Sequence, residues 1–409
     1  MDELTLEHFY AQSLGLEAPW RVAGVVIDGE RKEVRIRVEC AGGEAWVDPE
    51  TRERAEIKDW QERTWRHLDT CEYHTIISAR VPRVVLSDGH TLTVRVPWAE
   101  PGGRFTKRFE SRIIALLEQC RTVRGAARLA RLTDDQAEGV MNRAVARGLL
   151  RRGDQPLTYI GLDEKAIAKG HRYATILNDL AGSRVIDVVP ERTGEAAAAL
   201  LRQLPEGQRE KIAAVAMDMW PAYIRAVEEV LPSADIVFDR FHVKKHLGEA
   251  VDKVRRKEHR ELSAAGNLIL KGSKYLWLKT HEDMRLKAAR EFRALLVQDL
   301  QTGTAWALKE NFDHFWSYRQ WGRACRFIHH WMETVFATGL GPLEKAAEMI
   351  GHHAEGILNY IFHRITNAAS EGINSTIQSL KHAARGLPAF QTFRTRILFF
   401  LGKLNLTPA

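Results

Sequence analysis

Hydrophobic and polar residues alternate through residues 22–98 of this 409-residue chain. The alternation is clearest at residues 34–38 and 91–96, where every second side chain is apolar. A period of two is typical of strands that bury one face, and glycine and aspartate turns separate the runs. We therefore predict that residues 1–100 form a small β-rich domain, followed by a turn-rich stretch at residues 101–103.

Helical spacing replaces the alternation between residues 104 and 152, where apolar residues mark three short segments. Thr133, followed three residues later by Gln136, is a capping-box signature that begins the third segment. Three short helices with tight connections are typical of a helix-turn-helix, whose third helix contacts bases in the major groove. We predict this DNA-binding domain at residues 104–152. The alternative is an ordinary helical linker with a solvated basic face.

Three strand-like runs open the next part of the chain. They are residues 158–167, 172–179 and 184–189. A helix capped by Thr193, a strand ending at Asp218, a second helix and a strand ending at Asp239 follow. The order βββαβαβ is the order of an RNase H-like α/β core, which we predict at residues 157–246.

The rest of the chain has the pattern of helices. Residues 247–362 are charged and rich in tryptophan, and we predict an all-helical insertion there. We interpret these tryptophans, and also Trp220 and Tyr223, as packing residues, with base stacking as the alternative. Residues 363–409 are predicted to return to the core as its final helices, with polar and apolar residues on opposite faces of the first one. The polar face contains Asn367, Glu371, Asn374 and Gln378, and the apolar face contains Ile373, Ile377 and Leu380.

The overall composition, 45% hydrophobic and 28% charged residues, is that of a globular protein rather than a disordered chain. No uninterrupted apolar run is long enough to cross a membrane, so no membrane partner is expected. The acidic N-terminus lacks a signal-peptide pattern, and the four scattered cysteines form no disulfide framework. These features together predict a cytoplasmic protein.

Positive charge is concentrated in the predicted helix-turn-helix. The net charge of the chain is +7, and residues 101–152 alone carry twelve Lys and Arg against five acids, an equal excess. Such an excess favours a polyanionic partner, and we expect double-stranded DNA. The predicted DNA contacts in this segment are Arg121, Arg124, Arg128, Arg131, Arg143 and Arg147.

Three acids occupy the settings that a two-metal phosphoryl-transfer site requires. Asp163 lies in the first predicted strand of the core, Asp218 ends the fourth, and Glu371 lies on the late helix. Crowded carboxylates repel one another, and Mg²⁺, which prefers oxygen ligands, relieves that repulsion. Two such ions activate a water or a DNA 3′-hydroxyl and stabilise the leaving oxygen. The alternative, two strand-end turn residues and one solvated helix acid, explains each acid singly but not the ordered set.

These motifs resemble those of DDE-class bacterial insertion-sequence transposases, specifically the ISL-three family. The resemblance rests on residues 161–164 (GLDE), 217–223 (MDMWPAY), 238–243 (FDRFHV) and 366–374 (TNAASEGIN), and residues 63–69 (RTWRHLD) resemble the family's N-terminal signature. It implies an enzyme that cuts an element at its terminal inverted repeats and joins the ends to target DNA.

The same resemblance implies that Asp163, Asp218 and Glu371 are the catalytic residues and the ligands of two Mg²⁺ ions, which Mn²⁺ can replace. It also implies a bacterial protein that associates with the nucleoid. Transposition requires two element ends to be held together, so we expect a homodimer or a higher oligomer on DNA.

Several further residues are predicted to support the triad or to contact DNA. Asp239, His242 and Asn374 are predicted near the carboxylates, although a satisfied structural Asp–His pair is an equal alternative for the first two. Lys381 and Arg385 follow Glu371 on the same helix and are predicted to bind phosphates, with simple solvation as the alternative.

The chain departs from the family near its N-terminus, where paired cysteines usually resemble a zinc-binding module. Cys40 is followed by Ala-Gly-Gly rather than by a second cysteine, and residues 86–90 keep His90 without a cysteine. Cys71 and His74 are further candidates, but tetrahedral zinc takes four convergent ligands. We therefore expect no bound zinc, with a hydrophobic core in place of the metal.

Two other functions compete with that of a transposase. One is a non-catalytic DNA-binding regulator on a nuclease-like scaffold, which would show no Mg²⁺-dependent nicking. The other is a structure-selective nuclease, which would cut DNA without joining it. The intact acidic motifs argue against the first, and the basic helix-turn-helix argues against the second.

Overall fold

The computed structural model describes residues 5–41, 46–47, 54–153, 155–168, 172–279, 284–366, 368–383 and 389–408. The chain divides into two compact units. Unit 1 comprises Met1–Gly153 and Leu404–Ala409, and unit 2 comprises Asp154–Lys403.

Unit 1 begins with a short helix and a β-sheet. The elements are α1 (Leu6–Leu14), β1 (Trp20–Asp28), β2 (Glu33–Cys40), β3 (Trp46–Val47), β4 (Arg54–Arg66), β5 (His74–Val85) and β6 (Thr91–Thr93). The sheet has the order β1-β2-β5-β4-β3, and β6 pairs with β5. The alternation predicted for β2 is confirmed, because Val34, Ile36 and Val38 are buried while the arginines between them are exposed. Helix α1 was not predicted.

Aromatic side chains fill the core of this sheet. Trp98 makes edge-to-face contacts with Trp20 and Trp65, at ring-centroid distances of 5.0 and 5.3 Å. All three rings are buried. Pairs in this geometry contribute about 0.5–1.5 kcal/mol each beyond the burial of their area. The sheet is therefore stabilised by a packed apolar core.

Three helices follow, as the sequence predicts: α2 (Lys107–Cys120), α3 (Val123–Ala130) and α4 (Asp134–Leu150). Threonine side chains cap the N-termini of all three. The predicted capping box between Thr133 and Gln136 is confirmed. Arg121 and Arg131 end α2 and α3 in the left-handed conformation, which allows the tight turns between the helices.

A buried ion-pair cluster ties α2 to α4. The carboxylate of Glu110 is 1% exposed and lies 3.1 Å from Arg143 and 3.3 Å from Arg147. Arg147 also donates a hydrogen bond to the carbonyl of Leu406 at 2.8 Å, which ties the C-terminal residues to α4. These contacts neutralise a carboxylate that would otherwise be costly to bury.

A five-stranded sheet forms the start of unit 2. Its elements are β7 (Tyr159–Ala168), β8 (Arg172–Asp179), β9 (Arg184–Pro190), α5 (Gly194–Arg202), α6 (Glu206–Arg209), β10 (Ala214–Met217), α7 (Pro221–Val230) and β11 (Asp235–Phe238). The strand order is β11-β10-β7-β8-β9. Strands β7 to β9 are antiparallel neighbours, whereas β10 is parallel to both β7 and β11. The predicted order of strands and helices is confirmed, with the short α6 added, and the architecture is mixed α/β.

Helices make up the remainder of unit 2. They are α8 (Arg240–Ala264), α9 (Lys274–Leu278), α10 (Leu286–Leu296), α11 (Gln301–Phe312), the 3₁₀ helix Asp313–Ser317, α12 (Trp321–Phe336), α13 (Gly341–His352), α14 (Ala354–Leu358), α15 (Tyr360–His363), α16 (Ala368–Ala383) and α17 (Phe390–Leu401). Four of the five tryptophans predicted to pack here are buried, whereas Trp321 is 45% exposed. No helix in the part of the chain that the structure describes is long and apolar enough to cross a membrane.

Replacing Glu110 with Ala is expected to lower the free energy of unfolding of unit 1 by about 3 kcal/mol, because the buried Arg147 then loses the nearer of its two carboxylate partners and keeps Glu100 at 3.7 Å. Hydrogen exchange of the slowest amides in α2 and α4 of the full-length protein measures this change. Glu118 lies on the same helix and is exposed, so Glu118→Ala should change stability by less than about 0.5 kcal/mol. Equal effects of the two substitutions would contradict a stabilising role for the cluster.

Candidate functional site

Asp163 lies on β7, and Asp218 directly follows β10, the neighbouring parallel strand of unit 2. The register of the β7–β10 pair places Ala216 opposite Gly161. Continued by two residues along each strand, this register places Asp218 beside Asp163. Side chains two positions apart on a strand share a face, and parallel strands are about 4.8 Å apart. The register thus brings the carboxyl ends of these chain segments together, and the charges of Asp218 and Asp163 both act on His242, where they favour a raised pKa.

Helix α16 packs against β7 and brings an amide to Asp163. The Nδ2 atom of Asn374 donates a hydrogen bond of 2.5 Å to Oδ2 of Asp163. The predicted apolar face of the helix is confirmed, because Ile373, Ile377 and Leu380 are buried. The polar face of α16 is thus directed at the first aspartate.

Glu371, the third predicted acid, belongs to α16, three residues before Asn374. Its backbone is described, but its side chain is outside the described atoms. Asn367 and Arg385 also lie outside the described residues. Among the described side chains, no group of three His, Cys, Asp or Glu is arranged to hold a metal ion. The completed triad thus stays a prediction.

The start of α8 supports the second aspartate. Nδ1 of His242 lies 3.2 Å from Oδ2 of Asp218, and the backbone amide of Met219 donates to Oδ1 at 2.6 Å. Asp239 is the buried N-cap of α8 and accepts a hydrogen bond from the amide of Phe241 at 3.0 Å. The imidazole of His242 therefore contacts Asp218, and the charge of Asp239 also favours the protonated form of His242.

The two aspartates have pKa values shifted in opposite directions. Burial raises the pKa of Asp163, although hydrogen bonds from Asn374 and the amide of Glu164 oppose the shift. Burial also acts to raise the pKa of Asp218, but the hydrogen bond and charge of His242 outweigh it, so that pKa is lowered. The pKa of His242 is raised because its contact with Asp218 outweighs the effect of burial.

An arginine near the aspartates, Arg192, was not predicted from the sequence. Arg192 donates a hydrogen bond of 2.6 Å to Glu164, and its guanidinium lies 4.6 Å from the ring centroid of Trp220 and 4.9 Å from that of Tyr173. Arg192 follows the carboxyl end of β9, which runs parallel to β7 and β10. Its position at that edge of the sheet is the signal that would have identified it. Trp220, which the sequence predicts to be a packing residue, is 39% exposed.

Tyr223 is a packing residue, as interpreted from the sequence. Its side chain is buried, and its hydroxyl is 2.7 Å from Oγ1 of Thr175. Burial raises the pKa of Tyr223, with the negative charges of Glu164 and Asp163 adding to the shift.

The predicted DNA-contacting cations have different environments. Arg121, Arg124 and Arg128 are exposed in unit 1. Arg131 is also exposed but donates a hydrogen bond of 2.8 Å to the carbonyl of Glu72.

Other predicted cations are held by contacts within the protein. Arg143 and Arg147 bind Glu110 within unit 1, and the Arg147 side chain is only 11% exposed, so its geometry is that of a structural residue. In unit 2, Lys381 donates to the carbonyl of Ala166 at 3.2 Å.

The residues around Asp163 fit a hard divalent cation. Carboxylate oxygens are the ligands that Mg²⁺ prefers, and Asp163 and Asp218 supply them from adjacent strands. Oδ1 of Asn374 is buried and has no hydrogen-bond partner among the described residues. A buried acceptor of this kind is suited to bind a cation or to accept a hydrogen bond from a water on that cation.

Known proteins match this chain over most of its length. A family model described as a transposase matches residues 160–397, and a model for the helix-turn-helix domain of transposase family ISL3 matches residues 94–145. The transposase for insertion sequence element IS1001 of Bordetella parapertussis is 31% identical over 346 residues, 83% of each chain. The chain belongs to the ISL3 family of transposases. The resemblance inferred from the sequence motifs is confirmed.

A more distant relative covers nearly as much of this ISL3 transposase. The transposase for insertion sequence element IS1557 of Mycobacterium tuberculosis is 23% identical over 350 residues, 79% of this chain and 78% of the relative. A third family model, described as the zinc-finger of transposases IS204, IS1001, IS1096 and IS1165, matches residues 45–85.

The described side chains within residues 45–85 do not fit a structural zinc ion. Cys71 is the single thiol of this segment, and the imidazoles are His67 and His74. Nδ1 of the buried His67 is already 2.8 Å from Oγ1 of Thr106. Burial and two nearby arginines lower the pKa of His67 to about 4, so the ring is neutral and inside the fold. In the described part of this segment, residues 46–47 and 54–85, the ISL3 transposase has no set of four convergent ligands.

We expect elemental analysis of the purified full-length protein to show no stoichiometric zinc. A structural zinc site contributes folding free energy on the order of 10 kcal/mol, so removal of bound zinc would lower the unfolding midpoint clearly. Because we expect no zinc, incubation with EDTA should leave the unfolding midpoint of unit 1 unchanged. Cys71→Ser is the matched variant and should behave like the parent in both assays. One zinc per chain, lost together with unit 1 structure on chelation or in Cys71→Ser, would contradict this account.

Proposed function

We propose that this transposase binds the terminal inverted repeats of an insertion sequence, cuts the DNA there and joins the ends to target DNA. Cleavage and joining would both occur at Asp163, Asp218 and Glu371. The observation that carries the proposal is the parallel pairing of β7, which bears Asp163, with β10, which Asp218 follows, together with the contact of Asp163 with the helix that bears Glu371. Membership of the ISL3 family supports the same assignment.

Asp163 and Asp218 would hold two Mg²⁺ ions with Glu371 as the third ligand. Bound Mg²⁺ supplies Lewis-acid chemistry, activating a water or a 3′-hydroxyl and stabilising the leaving oxygen, and Mn²⁺ is expected to substitute. Each oxygen of Asp163 accepts one hydrogen bond, from Glu164 or Asn374, and keeps a further lone pair for a cation. Carboxylate oxygens suit Mg²⁺ and Mn²⁺, whereas structural zinc sites are built mainly from Cys and His.

Two neighbours would orient the aspartates rather than react. Asn374 fixes the carboxylate plane of Asp163 through Oδ2, and His242 holds Oδ2 of Asp218. Donors in this position reduce the reorganisation that accompanies ion binding. Asp239 would act indirectly. It is the N-cap of α8, so it fixes the first turn of the helix and with it the position of His242.

Element ends would be recognised by the helix-turn-helix in unit 1. Arg121, Arg124, Arg128 and Arg131 are the cations that we propose for phosphate contacts, since they are exposed. Helix α4 would contact base edges in the major groove. Two ends must be held together for transposition, so the working form is proposed to be a homodimer or a higher oligomer on DNA.

Conservative neutralisation of the triad tests the proposal. Asp163→Asn, Asp218→Asn and Glu371→Gln should each lower Mg²⁺-dependent nicking of end-containing DNA by about three orders of magnitude, because the charge that binds the ions is lost. Gel-shift affinity for the same DNA should change little. Glu228, an exposed acid on α7, is the matched control, and Glu228→Gln should cut like the parent.

Persistence of cleavage in all three variants would show that the acids are wrongly assigned. Absence of nicking by the parent protein would favour the non-catalytic regulator. A parent that cuts but never joins pre-cut ends to a target would favour the structure-selective nuclease.

The role proposed for Asn374 predicts a shift in metal dependence. Asn374→Ala should raise the Mg²⁺ concentration for half-maximal cleavage about 10–100-fold, because Asp163 loses the donor that orients it. A metal titration of the cleavage rate measures this shift. Ser379 is exposed on the same helix, and Ser379→Ala should titrate like the parent. An Asn374→Ala protein with reduced maximal rate but an unchanged metal midpoint would contradict the orienting role.

A further inference from the structure

Helix α8 connects the aspartates to the outside of unit 2. It spans 25 residues, Arg240–Ala264, or roughly 37 Å of helix axis. Its first turn lies at the site, where Asp239 caps the helix and His242 contacts Asp218. Any surface along α8 therefore starts beside the carboxylates and leads away from them.

The inner face of α8 is fixed by packing. Val243, Leu247, Val251 and Val254 are buried, and the helix contacts α11 and α13. Glu258 is buried on the same helix and accepts hydrogen bonds of 2.7 and 2.8 Å from the first backbone amides of α11. These contacts determine which face of α8 is exposed to solvent.

The outer face carries five exposed cations and one exposed acid. They are Lys245, Lys253, Arg256, Lys257, Arg260 and Glu249. At 100° per residue, all six fall within an arc of about 120° opposite the buried residues. Arg256 is bound to Asp252 at 2.9 Å, whereas Lys253, Lys257 and Arg260 make no ion pair with a described residue. We call this set of six residues the α8 strip.

We propose that the α8 strip binds the sugar-phosphate backbone of target DNA, a role that rests on the proposed transposase function. From Lys245 to Arg260 the strip covers roughly 22 Å, the length of about six base pairs. Lysine is a point charge that pairs with phosphate without selecting a base. A duplex lying along the strip would have a phosphodiester within reach of Asp163 and Asp218.

Target DNA fits the strip better than the element end does. The exposed residues of α8 are mostly Lys and Arg, whose charges bind the phosphates of a duplex of any sequence. Element ends have a defined sequence, and the helix-turn-helix supplies their affinity. A target arrives as a separate molecule of variable sequence, so it needs a binding surface of its own that contacts only the backbone.

The test uses the full-length protein with Lys253→Gln and Lys257→Gln together, which removes two charges and keeps good helix formers. Binding of a random-sequence duplex is measured across a salt series, and joining of pre-cut ends to a target plasmid is compared with cleavage of uncut ends. Lys287→Gln with Arg290→Gln, an exposed pair on α10, is the matched control. Lys253→Arg with Lys257→Arg keeps the charge.

The slope of log affinity against log salt should become shallower by about two in the Gln variant, and joining at moderate salt should fall roughly tenfold more than cleavage. The α10 control and the Arg variant should match the parent. Unchanged slope and joining in the Gln variant would overturn the proposal. Equal falls in cleavage and joining would also overturn it, since the strip would then hold the element end.

The binding measurement separates this proposal from the proposed function. If the parent neither cuts nor joins, the transposase mechanism fails. The salt slope then still decides whether the strip holds a duplex, because that measurement needs no catalysis. Circular dichroism shows whether the Gln variant is folded. If it is not, the same measurements are made on Arg260→Gln with the same control.

Discussion

Two carboxylates held side by side in a partly buried place are the constraint on which the rest of unit 2 depends. Asp163 is buried enough for its pKa to be raised, whereas His242 keeps the pKa of Asp218 low. Burial and the nearby charge of Asp239 make the ionised form of Asp163 costly. The surrounding donors from Asn374 and His242 limit that cost and fix the carboxylates in the orientation that they have.

The architecture supplies this arrangement through parallel strands. Strand β10 can lie beside β7 because helices α5 and α6 cross over the sheet between β9 and β10. Acids placed at one edge of the sheet then meet, although 55 positions separate them in the chain. Helix α16 follows the helical insertion in the chain. Its apolar face is buried, and Asn374 on its polar face contacts Asp163. In unit 1, the sheet packs around tryptophans in edge-to-face contact.

Local pattern predicted more of the fold than of the site. Strand alternation, the capping box at Thr133 and the two faces of α16 are encoded within a few residues, so the sequence shows them directly. Arg147 was predicted to contact DNA, yet its partner Glu110 lies on another helix. The stack of Arg192 on Trp220 likewise joins separate elements. Such pairings depend on tertiary contacts that no short window of sequence contains.

The most direct test of the central claim is the anomalous diffraction of Mn²⁺ in crystals of the protein bound to an element end. The account predicts two peaks about 3.5–4 Å apart, shared by the carboxylates of Asp163, Asp218 and Glu371. Manganese peaks elsewhere in the molecule, with these carboxylates unligated at saturating metal, would contradict it.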